Sequence, residues 1–279
     1  MRATVETVWQ CYQNVRYTNP LVYSITNSVV QNFTANALLA VGASPLMSDA
    51  VEEVAELVAI SNAVNLNIGT PTPRGIDAMQ LALRTANARS VPVALDPVAA
   101  GATQLRRESI ERLFAAGHPL VIRGNASELA FLAGTKSVAK GVDADPDQTG
   151  TVDAVRAVSA KHACIAVASG EVDIIAAVDG QFVWSVHNGH PLMARITGSG
   201  CVATAIVAAF VGANSDPIIA TVAAMALNGV VGELAADHSR TEGPGSFQVQ
   251  YLDLLQRLDF EHLEARMQVS ELGRSGDPR

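Results

Sequence analysis

The segment Thr197-Gly198-Ser199-Gly200-Cys201 sets two glycines and a cysteine directly ahead of a long apolar run. Glycine permits a tight turn and close backbone approach. A helix starting near Cys201 would present the free N–H groups of its first turn and the positive end of its dipole, which together bind anions. That field is expected to draw the Cys201 thiol toward thiolate. The plainer alternative is a helix cap followed by a buried cysteine. Two carboxylates belong with this segment, Asp96 and Glu128, each just beyond an apolar β-type run. Their oxygens suit Mg²⁺, held directly or through waters. Asp96, ahead of Pro97, also suits a turn, and Glu128 also suits capping of a helix from Ser127.

Other chemistries find less support. No GxxxxGK[ST] string occurs, which excludes a P-loop nucleotide site, and no GxGxxG follows an early strand. HExxH is absent, and the histidines, His118, His162, His187 and His190 among them, show no metal-ligand spacing. Cys11, Cys164 and Cys201 are odd in number and widely spaced. That argues against a disulfide framework or structural zinc and for a reducing compartment. A net charge of -8 argues against a nucleic-acid partner, which needs a basic face. The N-terminal stretch does not read as a secretory signal.

The elements that must position these residues follow from the apolar pattern. Short runs at Val64-Ile68, Val91-Leu95, Leu120-Ile122 and Ala163-Ala168 are apolar on nearly every position, as strands covered on both faces should be. Helical stretches lie between, about Asn27-Leu39, Ala50-Ser61, Arg74-Arg89, Glu108-Ala116, Ser127-Leu132 and Thr151-Lys161. This alternation predicts an α/β fold, a mostly parallel central sheet with helices on both faces. Asp173-Val178 and Gln181-His187 flank Asp179-Gly180, a hairpin signal, so antiparallel edge strands are expected there. Cys201-Ala213 is too short for a membrane span, and Ile218-Ala236 carries Asn228 and Glu233. Both read as buried core helices, with no membrane partner. No linker divides the chain: residues 1–260 read as one domain, Lys140-Gly150 as a polar surface loop, and 261–279 as a polar, partly disordered tail. In parallel sheets ligands bind at the carboxyl ends of strands. The exits Gly69-Thr70-Pro71, Asp96-Pro97-Val98, Arg123-Gly124-Asn125 and Ser169-Gly170-Glu171 should therefore share one rim.

Five blocks in order, SITNSVVQNFTANALLAVGASPLMS, ALDPVAAGAT, IRGNASE, NGHPLMARITGSGC and GPGSFQ, resemble the hydroxyethylthiazole kinase family across Asn19 to Leu258. The resemblance implies a ribokinase-like fold. It implies ATP- and Mg²⁺-dependent phosphorylation of 5-(2-hydroxyethyl)-4-methylthiazole, in thiamine salvage in the cytoplasm. It further implies a homotrimer with active sites at subunit interfaces. Matched position by position, it makes Cys201 catalytic and places Met47, Gly198 and Asn27 at the thiazole. It assigns Arg123 and Ser169 to ATP and Asp96 and Glu128 to the metal. Ser169 stands where relatives often have threonine, which keeps the hydroxyl. Ala99 stands where glycine is common, and its methyl is expected to tighten that loop. Three rival readings remain: a related kinase of hydroxymethylpyrimidine or a sugar, a cysteine hydrolase, and a non-catalytic binder. Against the hydrolase, no histidine is placed by sequence to partner Cys201.

Overall fold

The computed structural model describes residues 2–135, 149–239 and 243–274. Nine strands form a single sheet in the order β2-β1-β3-β4-β5-β6-β7-β8-β9. The parallel part comprises β1 (Leu21–Ile25), β2 (Ser44–Met47), β3 (Ala63–Asn67), β4 (Val93–Asp96), β5 (Val121–Asn125) and β6 (Ile165–Ser169). The antiparallel edge is β7 (Asp173–Ala176), β8 (Phe182–Val186) and β9 (Val269–Arg274).

Successive strand residues face opposite ways. Val22, Ala63, Ala94 and Val121 enter one apolar core, and Tyr23, Val64, Leu95 and Ile122 enter the other. The first core is closed by α1 (Val5–Thr18), α2 (Gln31–Val41), α8 (Ser199–Ala213), α9 (Pro217–His238), α10 (Pro244–Arg257) and α11 (Phe260–Arg266). The second is closed by α3 (Val54–Ile60), α4 (Pro73–Arg89), α5 (Gln104–Ala116), α6 (Ala126–Ala133) and α7 (Thr149–His162). Helix α8 is buried continuously from Val202 to Val211, and α9 packs beside it. Only α9, among the described residues, is long and apolar enough to cross a membrane, and it lies inside the protein.

Helix starts are written locally. Thr72, Thr103, Asp216 and Asp259 each accept a backbone N–H at their helix N-cap, and Pro73 and Pro217 open α4 and α9. Several boundaries differ from the sequence expectation. Helix α2 begins at Gln31, so Asn27 lies in the turn leaving β1, not in a helix. Helix α5 begins four residues earlier than expected because Thr103 supplies its cap. Within the segment read as a polar tail, α11 packs on α1 and α9, and β9 pairs with β8. Amphipathic polarity there reflects an exposed helix face and a sheet edge. The loop expected at Lys140-Gly150 lies outside the described residues up to Gln148, and Thr149 already opens α7.

Candidate active site

Strand order reverses at β1, with β2 on one side and β3 on the other. In open α/β sheets the crevice beyond the carboxyl ends at such a switch point binds ligands. Two adjoining clefts lie there, of about 160 and 200 Å³, and both are lined by Thr26, Gln31 and Asp49. Met47, at the end of β2, lines the first, and Asn67, at the end of β3, lines the second.

A buried polar ladder runs from this crevice across the sheet. Asn27 Nδ2 donates to Asn67 Oδ1 at 2.9 Å and to Cys201 Sγ at 3.4 Å. Asn67 Nδ2 donates to Asp96 Oδ2 at 2.9 Å, as the β3/β4 register sets these two residues side by side. The same oxygen accepts from Thr204 Oγ1, one turn beyond Cys201, at 2.9 Å. Asn27, Cys201 and Asp96 are thus brought together. Asn67 and Thr204, which join them, went unnoticed. Asn67 had a signal, an amide recurring at alternate positions of the apolar strand Asn65-Leu66-Asn67.

Gly198 caps α8 with φ 91°, a left-handed conformation that favours glycine, and a Cβ there would lie 2.5 Å from Val30. The first helical bond runs from Val202 N–H to Gly198 O at 2.8 Å. The N–H groups of Ser199, Gly200 and Cys201 therefore precede the intrahelical ladder. The expected lowering of the Cys201 thiol is not what the structure shows. Burial raises its pKa first, and the Asp96 charge raises it further. Hydrogen bonds from Asn67 and Asn27 and the Arg123 charge offset only part of this. Desolvation and a neighbouring carboxylate together hold the thiol above its ordinary value.

Arg123 and Ser169 meet on adjacent strands: Arg123 Nη2 donates to Ser169 Oγ at 2.6 Å, and Ser169 Oγ donates to Gly124 O at 3.2 Å. The Arg123 Nε is buried without a partner among the described residues. Its guanidinium lies against Gly200, at the start of α8. Glu128 fills a capping box: Asn125 N–H donates to its Oε2 at 2.7 Å, and Asn125 Oδ1 accepts from Glu128 N–H at 2.9 Å. Its Oε1 accepts the Ala99 N–H at 2.6 Å. Glu128 is therefore a cap, and it also ties the Asp96 loop to α6. Ala99 has φ 52°, which explains why glycine suits that position. Among the described residues no group of three metal-ligating side chains occurs.

Burial and the Glu128 charge raise Asp96 to about 6, against the lowering by Arg123, Thr204 and Asn67. Asp173, at the start of β7, was missed by sequence reading, although an acid opening the apolar run Asp173-Ile174-Ile175 was a signal. Burial raises it to about 7, while the Gly170 N–H, 3.1 Å from its Oδ1, and Arg123 pull the other way. A carboxyl raised in the fold contributes stability below its ordinary value of 3.8 that is lost as pH rises through about 7. Asp173→Asn keeps the acceptor for Gly170 and removes the ionisation. Urea unfolding should show a flatter fall in stability from pH 5 to pH 8 in this variant than in wild type. Parallel curves would refute the assignment.

The hydroxyethylthiazole kinase family model matches residues 12–261. The chain is 44% identical over 264 residues to the hydroxyethylthiazole kinase of Nitratidesulfovibrio vulgaris strain Miyazaki F, covering 95% of this chain and 97% of that protein. It is 45% identical over 273 residues to that of Leptothrix cholodnii, covering 97% and 98%. The solved structure of the hydroxyethylthiazole kinase protein from Pyrococcus horikoshii superposes with a TM-score of 0.87 at 34% identity, covering 96% of this chain and 99% of that one. A ribokinase-like superfamily protein from Enterococcus faecalis, at 12% identity and a TM-score of 0.63, shares the fold over 91% of this chain and 94% of its own. With that fold and this match from end to end of the catalytic rim, the chain belongs to the hydroxyethylthiazole kinase family.

Proposed function

We infer that this chain transfers the γ-phosphoryl group of ATP to the hydroxyethyl oxygen of 5-(2-hydroxyethyl)-4-methylthiazole, a salvage step toward thiamine. The family match over residues 12–261 carries the reading. The switch-point clefts, one of them lined by Asn67 of the ladder that reaches Cys201 through Asn27, supply space for a small acceptor. Met47 would grip the ring through its polarisable thioether. Gly198, at the start of α8, would contact the ring, and Asn27 would help orient the alcohol toward Cys201. The Cys201 sulfur would take the hydroxyl proton as the oxygen–phosphorus bond forms and the bond to the β-phosphate oxygen breaks. Phosphoryl transfer asks mainly for positioning and charge neutralisation. The N–H groups of Ser199, Gly200 and Cys201 face such charge, and Arg123 and Ser169 would hold the polyphosphate.

Asp96 and Glu128 offer only oxygen donors, and carboxylate oxygens that accept one or two N–H or O–H bonds retain acceptor capacity. That donor set fits Mg²⁺, which binds through one or two carboxylates plus substrate phosphates and waters. Bound there, the ion would neutralise charge on the phosphate oxygens. A coupled ADP-release assay should give a kcat/KM for the thiazole alcohol at least about 100-fold above hydroxymethylpyrimidine and ribose, a margin that a site built for one acceptor can supply. Equal rates across the three would defeat the reading.

We also propose a cytoplasmic homotrimer that completes its active sites at subunit interfaces. Val29, in the turn before α2, and Leu39, near the end of α2, are 66% and 59% exposed, and Val249 on the adjacent α10 is 58% exposed. Helix α2 packs on α10 and on β2, which with Met47 forms the sheet edge. A closed ring is the usual outcome of such a heterologous contact. Light scattering should report three chain masses at micromolar concentration. A single chain mass would refute the assembly.

A further inference from the structure

The first turn of α5 carries Arg106 and Arg107 and no acid. Cations at a helix N-terminus oppose the dipole, so local physics disfavours both. Such breaches of a local rule are expected where a tertiary role compensates. Arg106 has that role. Its Nη1 donates to Ile68 O at 2.8 Å and to Val98 O at 2.7 Å, and its Nη2 donates to Gly69 O at 2.7 Å. One planar guanidinium thus joins the exit of β3 to the exit of β4.

Each exit carries one half of the site. On the β3 side, Gly69 N–H donates to Asn67 Oδ1 at 2.9 Å. Gly69 also lies so close to Asn27 that a Cβ on it would approach the Asn27 side chain to 2.7 Å. Asn27 in turn reaches Cys201. On the β4 side, Val98 sits between Asp96 and the Ala99 N–H that Glu128 holds. We propose that Arg106 is a positioning residue that locks the acceptor side of the site, Asn27 and Cys201, in register with the phosphate side, Asp96 and Glu128. Its effect rests on the phosphotransferase reading above. Asn67 and Thr204 already join the two halves at Asp96, and Arg106 fixes the loops beyond that junction, so loosening one loop against the other slows the chemical step more than it weakens the binding of either substrate.

The test compares Arg106→Met and Arg106→Lys with Arg112→Met. Arg112 lies on the same helix, paired at the surface with Asp77 at 2.6 Å. Arg106→Met should lower kcat about 10- to 100-fold, as misplacement on the order of 1 Å does, with the KM for ATP changed less than about threefold. Arg106→Lys keeps the charge without the fork and should recover part of kcat. Arg112→Met should behave as wild type. Amide exchange, which needs no substrate, should quicken together at Gly69-Thr70 and Ala99-Ala102 in Arg106→Met. If that variant fails to fold, the Lys variant is read by the same criteria. Retention of kcat within about twofold, quickening of one loop without the other, or an equal loss in Arg112→Met would overturn the proposal. A wild-type enzyme inactive on every alcohol tried would instead remove the functional reading, and exchange alone would then decide whether the clamp exists.

Discussion

Cys201→Ala is expected to lower kcat by about 10²- to 10⁴-fold, the usual contribution of a positioned proton acceptor, with both KM values little changed. The sulfur accepts from Asn27 Nδ2 and sits at the opening of α8, so its removal leaves the anion-facing N–H groups and the clefts intact. Cys201→Asp should retain substantial activity, because a carboxylate at the same place can also accept the hydroxyl proton. The two enzymes should separate in pH. Burial and Asp96 push the thiol above its ordinary value of 9.0, so wild-type kcat should climb through the alkaline range as the thiolate forms. The Asp variant, with a carboxylate in its place, should reach its plateau at lower pH. A dead Asp variant together with phosphate trapped on wild-type Cys201 would replace proton transfer with covalent catalysis. A fully active Ala variant would return Cys201 to the status of a helix-start residue.

The second large effect belongs to Arg123. Arg123→Ala should raise the KM for ATP tenfold or more while leaving that for the thiazole alcohol near wild type. Each charged hydrogen bond to a phosphate oxygen contributes about 1.5–3 kcal/mol. The structure adds a cost that the sequence did not reveal. Arg123 lowers the pKa of both Asp96 and Asp173, two buried carboxyls held high by desolvation. Without it, both are harder to ionise, so Arg123→Ala should also lose stability at pH 8 more than at pH 5. Arg123→Lys keeps the charge and should recover this stability but only part of the ATP affinity, since an ammonium lacks the bidentate fork. Equal losses for both substrates would make the residue structural instead.

Much of this architecture was legible because local rules and tertiary structure agree. The doubly covered strands β3 to β6 read as apolar runs, and Asp179-Gly180 announced the β7/β8 hairpin. Strand β1 was harder: Leu21–Ile25 runs into a polar exit and then α2, and no turn signal separates them. β9 was hidden because an edge strand needs no apolar face, and Ser270 and Glu271 look like tail. The site residues that sequence placed at strand exits stand there. Of the residues it missed, Asn67, Thr204 and Arg106 act through partners on other elements, which no spacing rule encodes, and Asp173 owes its shift to burial that the sequence does not display. The Cys201 thiol went the wrong way because the helix end is visible in the sequence, whereas the burial that raises the thiol, with the Asp96 charge adding to it, is not.

The packing of α1 carries a consequence for biosynthesis. Its buried face, Val8, Tyr12 and Val15, rests on α9 and α11, and Tyr12 donates its hydroxyl hydrogen to Leu255 O, 243 residues later. A ribosome adding roughly 5–20 residues per second takes on the order of ten to fifty seconds to span that interval. Until α8 and α9 emerge, most of the way through it, the first helix made lacks the surface that covers its tyrosine and valines. The central parallel strands can assemble meanwhile, but the first apolar core closes only when the last helices emerge. The nascent chain is therefore a natural client for a chaperone that shields its N-terminal helix until the C-terminal segment arrives.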